Sequence, residues 1–473
     1  MGFANYRLKA SFMVKDIHTL LRNAKRIHFI GIGGSGMFPL VKILFDLGYT
    51  VTGSDIDDKA DIVGYERKMG IKVNVPHYGP AVEGADAVVV TAALFAENPE
   101  VARANELGIP IIKRSELLGY ITSLYKSAFC ISGTHGKTTT TSALTQILFE
   151  AGKDPSAVIG GRLPVIEGYG RSGKSQIMTC EACEYVDTFL ELFPDYAVIL
   201  NIDRDHLDYF KTEERLSQSF TNFAKRAATA VIANGDDAKT VAALKGIDRP
   251  VIYFGTGDDC EYRISDIHRA ESAFYAFTLT HGDDVMPIVL SIPGRHNVYN
   301  AAAAAVCAHI AGCTDREIAD GILHFKGAGR RFEIVGHVDG ITVADDYAHH
   351  PQEIAATLRA AKEMGYNRVI AVFQPFTFTR TKLLLKEFAE ALSIADSVVM
   401  TKIMGAREED DDSIHTKDLG VLIKGATWFD GFEEVSEYVM NTAKSGDLVV
   451  TLGCGDIYKA ARMMVHYKDK QKG

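Results

Sequence analysis

Short apolar runs that break into glycine and then resume with helical spacing recur along this chain. The first, RIHFIGIGG from Arg26, is followed by a helical pattern through Leu47 and by a second extended run, YTVTGSD. Two further extended runs, Ala87–Thr91 and Ile109–Lys113, bracket the helical ENPEVARANELG, so residues 1–122 predict a Rossmann-like parallel sheet. Residues 123–335 open a second sheet: SAFCISG ends at Gly133, a helix runs through Glu150, and IMTCEA, YAVILNI and TAVIANG continue the alternation. Over residues 251–292 the pattern changes to short alternating segments, YRISDI, FYAFTLT and MPIVLSI, which predict a small antiparallel insert ahead of an Ala-rich helix at 297–311. From residue 336 to 473 a third series (ITVADDYA, RVIAVFQ, SVVMTKI, ATWFD and DLVVTLG, with helices from about Gln352 and Thr381) predicts another Rossmann-like domain. The fold class is α/β, in three domains.

Composition narrows the function classes. With 473 residues, 47% hydrophobic and 24% charged, the chain is a globular protein of several cores, and a net charge of -10 offers no overall field for nucleic acid or an anionic membrane. The longest apolar stretch, Ile27 to Tyr49, is interrupted by Gly31, Gly33, Gly34, Gly36, Pro39, Lys42 and Asp46, so no membrane insertion is expected. The first residues lack a sustained apolar core, and Tyr6 stands where an acylation motif wants Ser or Thr. Seven cysteines, an odd number, imply no disulfide framework; the expected location is cytoplasmic, as a monomer or weak dimer. Cys180 and Cys183 form a C-x-x-C with no second pair at ribbon spacing, which argues against zinc. The run from Arg407 to Asp412 reads as a solvated loop.

Two glycine-rich turns carry the chemistry. Gly31-Ile-Gly33-Gly34-Ser35-Gly36 follows a strand and opens a helix, with Asp55 ending the next strand, the arrangement in which backbone N–H groups meet a pyrophosphate. It does not say which nucleotide. Gly133-Thr134-His135-Gly136-Lys137-Thr138-Thr139 combines a strand-to-helix turn with a Lys and hydroxyls in the order that cradles phosphates, Lys137 toward β and γ oxygens and Thr138 toward Mg²⁺. It departs from a Walker A motif, because Ile131 stands at the first glycine. Glu181, Glu184 and His206 follow predicted strands and fall on the same rim, where a carboxylate and an imidazole could hold Mg²⁺. Asn297 and Asn300 open the Ala-rich helix, where a capping role is the plainer alternative. Arg330-Arg331 suits a γ-phosphate clamp or a surface ion pair.

In this order the motifs IHFIGIGGSGM, SGTHGKTTTT, EACEY, NIDRDHLDYF, GRHNVYNAAAA, GAGRRFE, DDYAHHPQEI and GCGDIY resemble those of the Mur ligases of peptidoglycan synthesis, over essentially the whole chain. The resemblance implies a Rossmann-like UDP-sugar domain, a central P-loop-type ATPase domain and a C-terminal domain that closes over an amino acid. It implies further that Gly33, Gly34, Ser35, Gly36 and Asp55 bind the UDP-sugar, and that Gly133 to Thr139 hold ATP, with Asn297 and Asn300 at adenine and Asp346 at the ribose. Thr138, Glu181 and His206 would bind Mg²⁺, Lys137 and Arg331 would meet the transferring phosphoryl group, and Tyr347, His349 and Arg380 would line the acceptor side. The implied substrates are UDP-N-acetylmuramate, ATP and a small amino acid, L-alanine first.

Two departures stand out. The family's E-A-D-E-S reads Glu181-Ala182-Cys183-Glu184-Tyr185, and a usual His-Arg pair reads Phe376-Thr377, with Phe376 and Phe378 expected to narrow the acceptor pocket around Arg380. A murein tripeptide ligase shares much of the pattern. A nicotinamide dehydrogenase would use the first glycine turn but leave the Lys137 loop idle, and a non-catalytic ATP-dependent switch would need no UDP-sugar.

Overall fold

The computed structural model describes residues 16–91, 98–270, 274–406, 408–410 and 412–467. The reading of the first residues, and Arg407 and Asp411 of the acidic run, lie outside the described residues. Two compact units divide the chain, Met1–Arg263 with Ala303–Ile318, and Ile264–Ala302 with Ala319–Gly473.

In the first unit, β1 (Arg26–Ile30), β2 (Thr50–Ser54), β3 (Lys72–Asn74), β4 (Ala87–Val90) and β5 (Ile111–Lys113) form a parallel sheet of order β3-β2-β1-β4-β5. All four residues of β4 are buried, as a parallel strand covered by helices on both faces requires. The short, polar β3 gave no apolar run to read. Chain order reverses between β1 and β4, which opens a crevice at their carboxyl ends, above the glycine turn.

The same unit carries β6 (Ser127–Ser132), β7 (Ser156–Leu163), β8 (Gly168–Arg171), β9 (Ile177–Glu181), β10 (Tyr196–Ile199), β11 (Ala230–Asn234) and β12 (Val251–Gly255), ordered β12-β11-β10-β6-β9-β7-β8. The β7–β8 hairpin is antiparallel and was not anticipated, because its glycines and exposed Arg162 break the apolar run. It supports the first sheet: a Cβ on Gly170 would lie 2.6 Å from Pro39 Cβ, in the helix Phe38–Asp46. Expected as part of the antiparallel insert, β12 instead pairs in parallel with β11, and again in parallel with the start of β13 (Tyr262–Arg269). The helix Lys137–Glu150 lies almost wholly buried, with Leu144, Ile147 and Leu148 in the core.

In the second unit, β14 (Phe274–His281) and β15 (Asp284–Pro293) supply the antiparallel pairing expected of the insert, and the Ala-rich helix runs His296–Ile310 across the division of the chain. A six-stranded sheet follows, built from β16 (Glu333–Val338), β17 (Ile341–Asp346), β18 (Val369–Phe373), β19 (Ser397–Thr401), β20 (Thr427–Phe429) and β21 (Leu448–Leu452) in the order β16-β17-β21-β18-β19-β20. Only β16 joins antiparallel. The helix expected from about Thr381 is two, Phe378–Leu383 and Leu385–Leu392, separated at Leu384. Among the described residues, no helix is long and apolar enough to cross a membrane.

Candidate active site

The Lys137 loop leaves the carboxyl end of β6, which lies between β10 and β9, so residues following all three strands converge. Gly136 caps the helix Lys137–Glu150 with φ of 87°, a conformation open to glycine at little cost. Asn201, just past β10, braces the loop: its Oδ1 accepts the His135 N–H at 2.8 Å and its Nδ2 donates to His135 O at 3.1 Å. The Thr134 hydroxyl in turn accepts the Asp203 N–H at 2.8 Å. The sequence placed Asn201 in a notable motif without giving it this work.

Lys137 does not face open solvent. Its Nζ donates to Gly133 O at 2.5 Å and Thr134 O at 3.2 Å, and lies 2.9 Å from Glu184 Oε2, with side-chain exposures of 16% for Lys137 and 1% for Glu184. Burial alone would lower the ammonium's pKa, but Glu184, with help from its neighbours, holds it above the usual lysine range. A fixed cation at a strand-to-helix turn, where the helix dipole favours negative charge, is suited to an anion of several charges.

Thr138 donates to Glu181 Oε2 at 3.1 Å, and Glu181 Oε1 accepts the Gly160 N–H from the hairpin strand β7 at 2.5 Å. His206 enters a second group: its Nε2 lies 3.9 Å from Glu184 Oε1 and 3.6 Å from Asp205 Oδ2, and donor atoms of Glu184, Asp205 and His206 lie within 4.8 Å of one another. His206 holds φ of 52° and its ring sits 4.6 Å from that of Tyr185, so a strained backbone and a tilted aromatic contact fix the imidazole. Hydroxyl, carboxylates and imidazole on one rim form a donor set that fits a hard divalent cation beside phosphate.

At the first glycine turn, Asp55 Oδ2 accepts the Gly33 N–H at 2.8 Å, while Oδ1 accepts those of Ile56 and Asp57. Asp55 thus holds the shape of the turn. Gly34 and Ser35 are exposed at its crest.

The second unit has its own cluster at the carboxyl ends of β17 and β21. Of the arginine pair, Arg330 is committed internally: Nε reaches Asp345 Oδ2 at 2.9 Å, Nη2 donates to Gly453 O at 2.5 Å, and the rings of Tyr347 and Tyr458 each lie 4.9 Å away. The Arg331 guanidinium lies 5.2 Å from the Tyr347 ring. Asp346 is buried and accepts N–H groups of Phe332 and Ala348; burial pushes its pKa up to about 6 against the pull of Arg331. Asn297 and Asn300 are buried, and Asn300 Nδ2 donates to Asn297 Oδ1 at 2.8 Å while Asn297 Nδ2 donates to Pro293 O.

Rings of Tyr347, His349 and Phe376 form a chain, with centroids 5.6 and 6.4 Å apart. Phe378 does not join them, because its ring packs where a Cβ on Gly405 would fall. Arg380 lies on the helix Phe378–Leu383, capped by Thr377, and its charge acts on the Cys454 thiol, which burial pushes up to about 12. Thr377 holds φ of 63° and ψ of 139°, a region other residues leave to glycine.

Three family models cover this architecture: a Mur ligase family catalytic domain over residues 26–126, a Mur ligase middle domain over 131–308, and a Mur ligase glutamate ligase domain over 330–455. The UDP-N-acetylmuramate–L-alanine ligase of Caldanaerobacter subterraneus is 44% identical over 95% of this chain and 99% of its own length. The chain belongs to the Mur ligase family. The enzyme of the same description from Acetivibrio thermocellus is 43% identical over 94% of this chain and 96% of its own. Among solved structures, the UDP-N-acetylmuramate-alanine ligase of Thermotoga maritima superimposes with a TM-score of 0.79 at 29% identity, covering 94% of this chain and 99% of that one. A murein peptide ligase from Psychrobacter arcticus shares the fold, at 24% identity and a TM-score of 0.73 over 93% of this chain and 98% of that one. The expected fold class is therefore that of the Mur ligases, α/β with mixed parallel and antiparallel sheets.

Proposed function

We propose that this Mur ligase joins L-alanine to the carboxylate of UDP-N-acetylmuramate, converting ATP to ADP and phosphate, in the cytoplasm, as a monomer or weak dimer. The observation that carries the ATP half is the Lys137 loop with its buried Glu184 partner; full-length likeness to L-alanine ligases supports the acceptor half. We assign residues 1–122 to the UDP-sugar, 123–335 to ATP and 336–473 to the amino acid.

A carboxylate does not acylate an amine in water unaided. In the proposed reaction a carboxylate oxygen attacks the γ-phosphorus and ADP leaves; the amine then attacks the acyl carbon and phosphate leaves. Lys137 holds a positive charge where phosphate oxygens accumulate negative charge, and Arg331 supplies a second cation. Gly133 to Thr139 would hold the phosphates, with Asn297 and Asn300 at adenine and Asp346 at the ribose. Thr138, Glu181 and His206 would hold Mg²⁺, with Glu184 and Asp205 beside His206; bound there, the ion supplies further charge for phosphate oxygens. Gly33, Gly34, Ser35 and Gly36 would meet the UDP pyrophosphate on a turn that Asp55 holds. Tyr347, His349 and Arg380 would meet the amino acid.

The test is ADP release across a grid of UDP-sugars and amino acids or peptides. Release that requires both UDP-N-acetylmuramate and L-alanine is expected. Preference for a tripeptide acceptor overturns the acceptor assignment, and release independent of any UDP-sugar overturns the ligase reading.

A further inference from the structure

Directly after Glu184 the backbone takes a form that side-chain-bearing residues seldom adopt. Val186 holds φ of 56° and ψ of 30°, and Asp187 φ of 57° and ψ of 22°, two successive left-handed residues within Tyr185–Glu191. A β-branched residue in that region is an outlier, and Val186 is exposed, so burial of its side chain does not compensate the strain. Bonds within the turn hold part of it. The Asp187 N–H donates to Glu184 O at 2.9 Å, and the Phe189 N–H and Thr188 hydroxyl donate to Cys183 O at 3.0 and 2.9 Å.

The rest comes from a later stretch of the chain. The Asp187 carboxylate accepts from the Tyr209 hydroxyl at 2.7 Å, from Arg215 Nη2 at 3.1 Å and from the hydroxyl of the buried Ser219. Arg215 and Ser219 stand one turn apart on the helix Glu213–Ala224, so one face of that helix and one phenol converge on a single carboxylate. Tyr209 does more than donate to it. Its backbone N–H donates to His206 O at 2.9 Å, and its ring meets that of Tyr185 edge-on, with centroids 6.3 Å apart. Tyr185 in turn lies against the His206 ring, and His206 is itself left-handed. Asp187 and Tyr209 therefore tie the strained turn after Glu184 to the strained turn at His206, the two sides of one rim.

We propose that Asp187 is a positioning residue for this rim: by clasping Tyr209, Arg215 and Ser219 it holds Glu184, Tyr185 and His206 in the register in which they meet a divalent cation beside phosphate. This rests on the reading of the rim as the cation site of the ATP domain and adds to it a residue that touches neither ion nor nucleotide. Strained backbone persists where surrounding contacts over-determine it, and here three donors meet on the side chain of a strained residue. An ion pair that merely anchored the helix Glu213–Ala224 would not depend on the backbone form of residue 186, whereas a clasp that holds a strained turn does.

Mn²⁺ binding to the full chain tests it, read by electron paramagnetic resonance with ADP present and corrected for the Mn²⁺ that ADP takes up alone. The proteins are the unsubstituted chain, Asp187→Asn, and Asp187→Asn combined with Val186→Gly. Asparagine keeps the size of the side chain and tolerates left-handed backbone but loses the charge that faces Arg215, while glycine at 186 adopts the turn at little cost and so holds it without the clasp. Thermal melts check that each variant folds. Expected is at least a tenfold loss of Mn²⁺ affinity in Asp187→Asn and recovery to within threefold of the unsubstituted protein in the double variant. Affinity within twofold in a folded Asp187→Asn overturns the proposal, and so does a loss that Val186→Gly leaves in place. Should Asp187→Asn fail to fold, Tyr209→Phe, which keeps the ring and removes the hydroxyl, decides the matter: a threefold or greater loss supports the clasp and a smaller one overturns it. If the unsubstituted protein binds ADP but takes up no Mn²⁺ with it, the reading of the rim as a cation site fails, and this proposal with it.

Discussion

Lys137 Nζ and Glu184 Oε2 lie 2.9 Å apart, with the glutamate almost sealed from solvent, although 47 residues separate them in the chain. The pair joins the phosphate loop after β6 to the segment after β9, and it sets the charge of the proposed ATP site before any nucleotide arrives.

Lys137→Ala is therefore expected to cost stability as well as ligation. Removing one partner leaves a buried carboxylate unpaired, a loss of about 3 kcal/mol or more by denaturant unfolding. Lys137→Met with Glu184→Gln should recover most of that stability, because no buried charge is left alone, yet show no ADP release. If the single and double variants unfold at the same denaturant concentration, the pair is not coupled as the geometry requires.

Glu66 gives a prediction about pH. It lies fully buried in the helix Asp61–Lys68, neither carboxyl oxygen has a hydrogen-bond partner, and burial, with a smaller push from Asp55, raises its pKa from 4.5 to about 8. The native state thus holds its proton more tightly than the unfolded chain does. The stability this contributes is complete below pH 4.5 and is lost as pH rises through about 8. Since each tenfold change in proton affinity is about 1.4 kcal/mol, Glu66→Gln should raise the melting temperature more at pH 8.5 than at pH 6. An equal shift at both would show that Glu66 is not protonated in the fold.

Adjacent arginines should separate cleanly. Arg330→Met breaks contacts to Asp345, which is 2% exposed, and to Gly453 O, so it should destabilise the protein by about 2 to 4 kcal/mol. Arg331→Met should reduce kcat by about a hundredfold or more, as expected of a cation that meets a transferring phosphoryl group. A folded Arg331→Met enzyme that keeps kcat within about threefold would contradict this division.

What the sequence displayed and what it hid follow from the range of the interactions involved. The glycine turns and the strands β1, β4, β6 and β10 were legible, because a buried parallel strand must be an apolar run and a phosphate turn needs its glycines locally. The β7–β8 hairpin, whose Gly160 N–H holds Glu181, was not, because alternation there is broken by glycine and exposed charge. The Lys137–Glu184 pair joins residues 47 apart in the chain, a separation that no local spacing displays. The two arginines at 330 and 331 are indistinguishable as letters; only the placement of Asp345, Gly453 and Tyr458 separates them.

The last prediction concerns the amino acid. Arg380 is the cation retained on the acceptor segment where Phe376 and Thr377 replace the family's His-Arg pair, and the helix bearing it starts from a strained Thr377 whose hydroxyl accepts the Arg380 N–H at 3.4 Å. Such strain, on the order of 1 to 3 kcal/mol, persists where neighbouring contacts fix the backbone; here the Thr377 N–H donates to Met404 O at 2.9 Å and Thr381 donates back to Thr377 O at 2.7 Å. The segment is thus held rigid at the cost of strain, which suits a guanidinium that must present its planar fork to an α-carboxylate. Lysine at 380 keeps the charge and loses the fork, so Arg380→Lys should raise the KM for L-alanine at least tenfold and leave that for ATP within twofold. Phe376 lies beside His349 and Phe378 packs against Gly405, so on the proposed acceptor side Phe376 is the one of the two rings that would bound the side chain. Glycine and L-serine should then serve as weaker substrates, since one methylene in an apolar pocket discriminates by only about 1 to 3 kcal/mol. An unchanged alanine KM in Arg380→Lys, or a bulky or charged amino acid as the better substrate, would remove Arg380 from the acceptor site and leave the Lys137 loop untouched.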